Sequence, residues 1–157
     1  MAPTTSNLVS PDLVWEIVRG NNSYLVKRKE AGGVQFSRDP LNLTNKNSRK
    51  YAGFVNPKAV GVQGTEKGGI KVVSKKESAF QKPGKAAIEA TSSGGKPTRK
   101  IYAAVANQTA KNSYRPDLRE AAVARVSAIR RSQKEPKPTP EQKPRGKKAK
   151  KAAEASS

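Results

Sequence analysis

Apolar positions in this chain come in short groups separated by long polar stretches, and each group has its own period. Leu13, Val14, Ile17 and Val18 recur at helical spacing, with Trp15 beside them. Ser10 suits an N-cap, Pro11 a first helical position, and Gly20 a stop. The spacing predicts a short helix that packs on a sheet, with Trp15 in the core.

Strand-like composition follows in pairs. Tyr24–Arg28 and Val34–Ser37 flank Gly32-Gly33, which suits a hairpin turn. Ala59–Gln63 and Ile70–Ser74 form a second pair, joined through Gly64, Gly68 and Gly69. Between the pairs, Asp39–Tyr51 is rich in Asn, Ser and basic residues and reads as an irregular loop. The stretch 78–97 is polar and Gly/Ser-rich, a linker or insertion.

Helical periodicity returns at Thr98, an expected cap for a helix reaching about Lys111, with Ile101, Ala104 and Val105 on one face. A second helix starts near Pro116, where the missing N–H of proline goes unused and Asp117 faces the positive helix end. Leu118, Ala122, Val126 and Ile129 then share one side. Arg119 and Arg130 flank that stripe, Arg131 lies farther round, and Arg125 falls near the other apolar edge. Beyond Ser132, alternating prolines precede the run Lys147–Lys151, a composition unable to bury a core.

The expected fold class is α+β: a small mixed domain with an N-terminal helix, two β-hairpins forming an antiparallel sheet, two C-terminal helices and a disordered basic tail. Its expected divisions are a flexible N-terminus (1–9), an α+β domain (10–77), a linker or insertion (78–97), a two-helix basic segment (98–133) and the tail (134–157).

Charge changes the picture from fold to partner. The 157 residues include 32 Lys+Arg against 12 Asp+Glu, a formal net charge of +20. Self-repulsion of that size favours a protein whose compact form is completed by a polyanion. With 34% hydrophobic and 5% aromatic residues, the core must also be small. Nucleic acid is the leading partner; no long apolar segment or strongly amphipathic basic helix supports a membrane. The chain has no Cys and no His, which removes disulfides, Cys/His zinc sites and imidazole or thiol catalysis. The remaining carboxylates show no metal-ligand or acid/base spacing. No signal peptide is legible at the N-terminus, so the Asn-X-Ser/Thr triplets at Asn21, Asn42 and Asn107 read as chance matches. The glycines of Gly64–Lys71 resemble a phosphate-cradling loop, but the Gly-Lys-[Ser/Thr] ending is missing and a strand follows. No enzyme, cofactor or metal is expected.

The candidate contacts are therefore to RNA. Arg38, Lys46, Asn47, Arg49, Lys50 and Tyr51 combine cations, neutral hydrogen-bonding groups and a ring, the mixture that folded RNA requires. Tyr114, Arg115, Arg119, Arg125, Arg130 and Arg131 supply the densest arginine surface. Lys27, Arg28, Lys75, Lys76, Arg99, Lys100 and Lys111 complete the set. Arg125 is expected to pack partly by its stem, and Tyr114 to staple the two helices as an alternative to stacking on a base. A chromatin-type DNA architectural protein is the competing reading, since the Lys/Ala/Pro tail is similar to a linker-histone tail.

Several stretches together carry a resemblance: Leu13–Arg19, Asn22–Arg28, Asn42–Thr44 through Asn47-Ser48, Tyr51–Phe54, Lys58–Gln63 and, most specifically, Tyr114–Arg119 with Ala121-Ala122 and Arg125–Lys134. Over about Pro11 to Lys134 the chain resembles the family of the twenty-eighth large-subunit ribosomal protein of eukaryotes. The resemblance implies a non-enzymatic component of cytosolic large subunits, supporting translation, bound to ribosomal RNA and neighbouring ribosomal proteins. No small-molecule substrate, membrane or homo-oligomer is implied. A related family of nucleolar assembly factors shares the N-terminal half but continues into an acidic region, whereas this chain ends basic. The tail around Lys143–Lys148 suits nuclear import before nucleolar assembly.

Overall fold

The computed structural model describes residues 9–79, 82–139 and 145–155. The expected flexible N-terminus therefore lies almost wholly outside the described residues, as does the middle of the tail.

Helix α1 (Pro11–Val18) starts where its signals place it, with the Asp12 N–H donating to Ser10 Oγ at 3.2 Å. Trp15 is buried as expected, but its neighbours are not a sheet. It packs with Ala52 and Val55 of the long loop, flanked by Val14, Val18 and Phe54. Leu13 and Ile17, expected on the buried stripe, stay 56% and 71% exposed. So short a helix turns one side to its support, and Trp15 takes that side.

Strands β1 (Leu25–Lys27) and β2 (Gln35–Ser37) pair antiparallel, with Gly32 and Gly33 at φ 62° and 79° in the connection. Strands β3 (Val60–Gly64) and β4 (Ile70–Lys75) form the second hairpin. The two hairpins do not join into one sheet. The outer edge of β4 is taken by β5 (Ala87–Ser92), giving a three-stranded sheet β3-β4-β5 separate from β1-β2. Strand β5, preceded by the single turn α2 (Pro83–Ala86), lies inside the stretch expected to be a linker. Its residues are mostly exposed and small, so no apolar alternation betrays it.

Helix α3 (Thr98–Ala110) begins at Thr98 rather than being capped by it; Pro97 holds the cap position without a side-chain bond. Its buried face is Ile101, Val105 and Thr109, an i, i+4, i+8 line that leaves Ala104 exposed. A 3-10 turn over Pro116–Leu118 leads into α4 (Arg119–Ser132), so Pro116 does open the helical segment. Leu118, Ala122 and Val126 are buried with Ile129 packed beside them, as the periodicity predicts. These side chains join Leu43, Val60, Val62, Ile70, Val72, Ile101 and Val105 in the main core, where α3 and α4 cover one face of the three-stranded sheet. In the tail, Lys147–Ala155 forms α5, unlike the disorder expected there, because Lys and Ala are strong helix formers.

Candidate nucleic-acid interface

The loop between the sheets is built by side chains that bond to backbone. Asp39 is buried; its carboxylate accepts the N–H groups of Leu41 at 2.9 Å and Phe54 at 3.2 Å. Asn42 Nδ2 donates to the Lys46 carbonyl at 2.8 Å, and Asn56 Nδ2 to the carbonyls of Arg49 and Ala52. Residues 45–47 lie against β2: the Ser37 N–H donates to the Asn45 carbonyl, and the Asn47 N–H to that of Gln35. Asn and Asp recur here because short polar side chains hold turns that have no ladder of their own. The result sets Lys27 of β1 opposite Gln35 of β2, with Asn47 on the far side of that strand.

Within this frame the expected contact residues divide. Lys27, Arg28, Arg38, Lys46, Lys50, Lys76, Arg99, Lys100, Lys111, Arg119 and Arg131 are exposed, and none forms an ion pair among the described residues. Lys50 Nζ lies 5.4 Å from the Tyr51 ring centroid, while Tyr51 itself leans on the main core. Asn47, Arg49, Lys75, Tyr114, Arg115, Arg125 and Arg130 are partly buried and engaged with protein to differing degrees.

Arg115 is the most fully engaged of these. Its guanidinium bonds the carbonyls of Lys58 at 2.7 Å and Lys50 at 3.1 Å, and grips both Asp117 oxygens at 2.8 Å. The Arg115 fork holds the Asp117 carboxyl below its ordinary range. Tyr114 is engaged as well. Its hydroxyl is bound to the backbone of Ala59 and Lys75, so it staples the helices to the sheet. Burial pushes its pKa up. Lys75 is engaged too: its ammonium donates to the carbonyls of Gly53 and Asn56, and burial lowers its pKa against the opposing pull of Asp39. Arg49 pairs with Asp12 and Asn56, and Asn47 Nδ2 donates to the Arg19 carbonyl and Gln35.

Arg125 is partly buried, as its place at the apolar edge implies, and its Nε has no hydrogen-bond partner among the described residues. Arg130 donates through Nη1 to the Gly68 carbonyl at 2.8 Å. That bond brings Lys67 and Lys134, two cations absent from the expected set, to the same cleft. Lys67 lies in a turn and Lys134 just past a helix, so only the fold reveals that they meet.

No group of carboxylates able to hold a metal occurs among the described residues, and none of their helices is long and apolar enough to cross a membrane. The arrangement is thus an exposed, dispersed cationic surface on a scaffold pinned by its partly buried cations.

Comparison with known proteins agrees with the resemblance. Residues 13–132 match the model of the Ribosomal L28e protein family. The large ribosomal subunit protein eL28 of Schizosaccharomyces pombe is 42% identical over 83% of this chain and 97% of its own length. Its namesake from Dictyostelium discoideum is 34% identical over 80% of this chain and 93% of its own. The one from Caenorhabditis elegans is 35% identical over 80% and 91%. The match runs from α1 through α4, taking in both sheets and the arginine helix, and the chain belongs to the Ribosomal L28e protein family.

Proposed function

We propose that the chain is a structural constituent of the cytosolic large ribosomal subunit, where it binds ribosomal RNA through its exposed cations. The observation that carries this reading is the surface itself. Eleven of the expected contact residues are exposed cations without a carboxylate partner among the described residues, on a chain of net charge +20. Such a surface is neutralised by phosphates, with release of their counterions. Membership of a ribosomal protein family supports ribosomal RNA over chromosomal DNA as the partner. The protein performs no chemistry of its own; it positions RNA and screens its charge. Neighbouring ribosomal proteins are its other partners, and no homo-oligomer, membrane or small-molecule substrate enters the reading. The basic tail serves nuclear import, so that the protein joins precursors in the nucleolus before it reaches the cytosol.

Sedimentation of a tagged copy tests this. The tag should travel with large subunits, monosomes and polysomes, and RNase rather than DNase should release it. Residence in nuclear precursors alone would make it an assembly factor.

A further inference from the structure

We infer that the cleft lined by Lys67, Gly68, Gly94, Arg130, Gln133 and Lys134 is a binding site for a single phosphate of the RNA backbone. The inference rests on the RNA-binding reading above and assigns one of its contacts to a defined place. Three separated parts of the chain meet there: the β3–β4 turn, the segment after β5, and the last turn of α4. Their meeting is built in by backbone. Gly68 adopts φ +73°, a conformation that side chains rarely take, and a Cβ on Gly94 would lie 2.8 Å from the Gly68 carbonyl oxygen and 2.9 Å from that of Lys67. Gln133 Nε2 donates to the Gly69 carbonyl at 3.0 Å, which joins the helix end to the turn a second time.

The cleft has a volume of about 290 Å³ and no carboxylate among its lining residues. Arg130 is half-buried in its wall. Nη1 is committed to Gly68, and Nε is buried without a hydrogen-bond partner among the described residues. Nη2 has no such partner either, so the second arm of the fork remains for a ligand. Lys67 and Lys134 are exposed and form no ion pair among the described residues. Positive charge from three side chains thus converges on one concavity in which burial leaves a guanidinium without a counter-ion. A phosphate supplies that counter-ion, and a planar fork with two flanking ammonium groups suits its oxygens. The negative end of α4 opposes an anion here, which is why the cluster needs more than one cation.

The test compares Lys67→Gln, Lys134→Gln and the double variant in salt titrations of binding to purified large-subunit ribosomal RNA. Both lysines are exposed, so Arg130 and its bond to Gly68 survive; circular dichroism and thermal melting check the fold. Neutralising one phosphate contributes about 0.7 to 0.9 to the slope of log affinity against log salt. If all three cations serve one phosphate, adding Arg130→Gln to the double variant should remove about that much slope, the double variant alone should lose affinity with little change of slope, and the two single lysine losses should not multiply. An unchanged slope in the triple variant, which lacks Arg130 as well, would mean that the cleft takes no phosphate. A loss of about 1.4 to 1.8 already in the double lysine variant, with multiplying effects, would mean two independent surface contacts. Either result overturns the inference while leaving the RNA-binding reading intact; salt-independent binding by the unaltered protein would instead remove both.

Discussion

The Tyr114 hydroxyl donates to the Lys75 carbonyl at 2.6 Å and accepts the Lys75 N–H at 3.1 Å. The same oxygen accepts the Ala59 N–H at 3.2 Å. One side chain from the α3–α4 junction thereby closes the open ends of β3 and β4. Lys75 then extends the connection, since its ammonium reaches the Gly53 and Asn56 carbonyls of the long loop. Helices, sheet and loop meet at these two residues.

Removing the hydroxyl with Tyr114→Phe leaves the ring to pack but strips partners from buried backbone groups. Each such loss costs about 1 to 3 kcal/mol. Denaturant unfolding should show a drop of that order, and RNA affinity at a temperature where both proteins are folded should be unchanged.

The same pair sets an alkaline dependence. Burial raises the Tyr114 pKa above its ordinary 10.0, so the folded protein keeps a proton that the unfolded chain releases. That contribution is fully present below pH 10.0 and is lost as pH rises through the folded pKa. Lys75 acts oppositely: its lowered pKa makes the unfolded chain bind more protons just below 10.5, so its share of stability rises with pH there. The difference between the unaltered protein and Tyr114→Phe isolates the tyrosine. That difference should be flat to about pH 10 and shrink above it, read from unfolding curves across the range.

Arg115→Lys should injure the fold rather than the RNA interface. A lysine keeps the charge but cannot bond Lys58, Lys50 and Asp117 together. Stability should fall by about 1 to 3 kcal/mol, with the salt slope of RNA binding unchanged. The Asp117 carboxyl, followed by NMR, should titrate closer to its ordinary value.

Gly61 is where β3 and the long loop touch. A Cβ there would lie 2.5 Å from the Pro40 carbonyl oxygen and 3.1 Å from Leu41 Cα. Gly61→Ala must push two backbones apart, so a loss of about 1 to 3 kcal/mol is expected in thermal or denaturant unfolding.

Much of this organisation is legible in the residues. Periodicity and caps locate α1 and α4, and glycine pairs locate both hairpins, because these signals are local. Strand β5 escapes notice because an exposed strand of small residues has no apolar alternation. Its pairing with β4 completes a three-stranded sheet separate from β1-β2. Composition cannot separate a cation that faces solvent from one that holds the fold. Arg115 and Arg119 are four residues apart on paper, yet Arg115 grips backbone from the distant loop while Arg119 is exposed. The cleft at Arg130 is hidden for the same reason: Lys67 and Lys134 meet only after the sheet and helix have packed.

On the function proposed above, folded, exposed cations, and not the tail alone, hold this protein on ribosomal RNA. Ultraviolet cross-linking of intact large subunits, read by mass spectrometry of RNA-bound peptides, tests it most directly. Cross-links should fall in residues 38–50, in the first turn of α3 at Arg99 and Lys100, and on the exposed side of α4 near Arg119 and Arg131. Cross-links confined to residues beyond Lys134, with none in the folded part, would contradict the account.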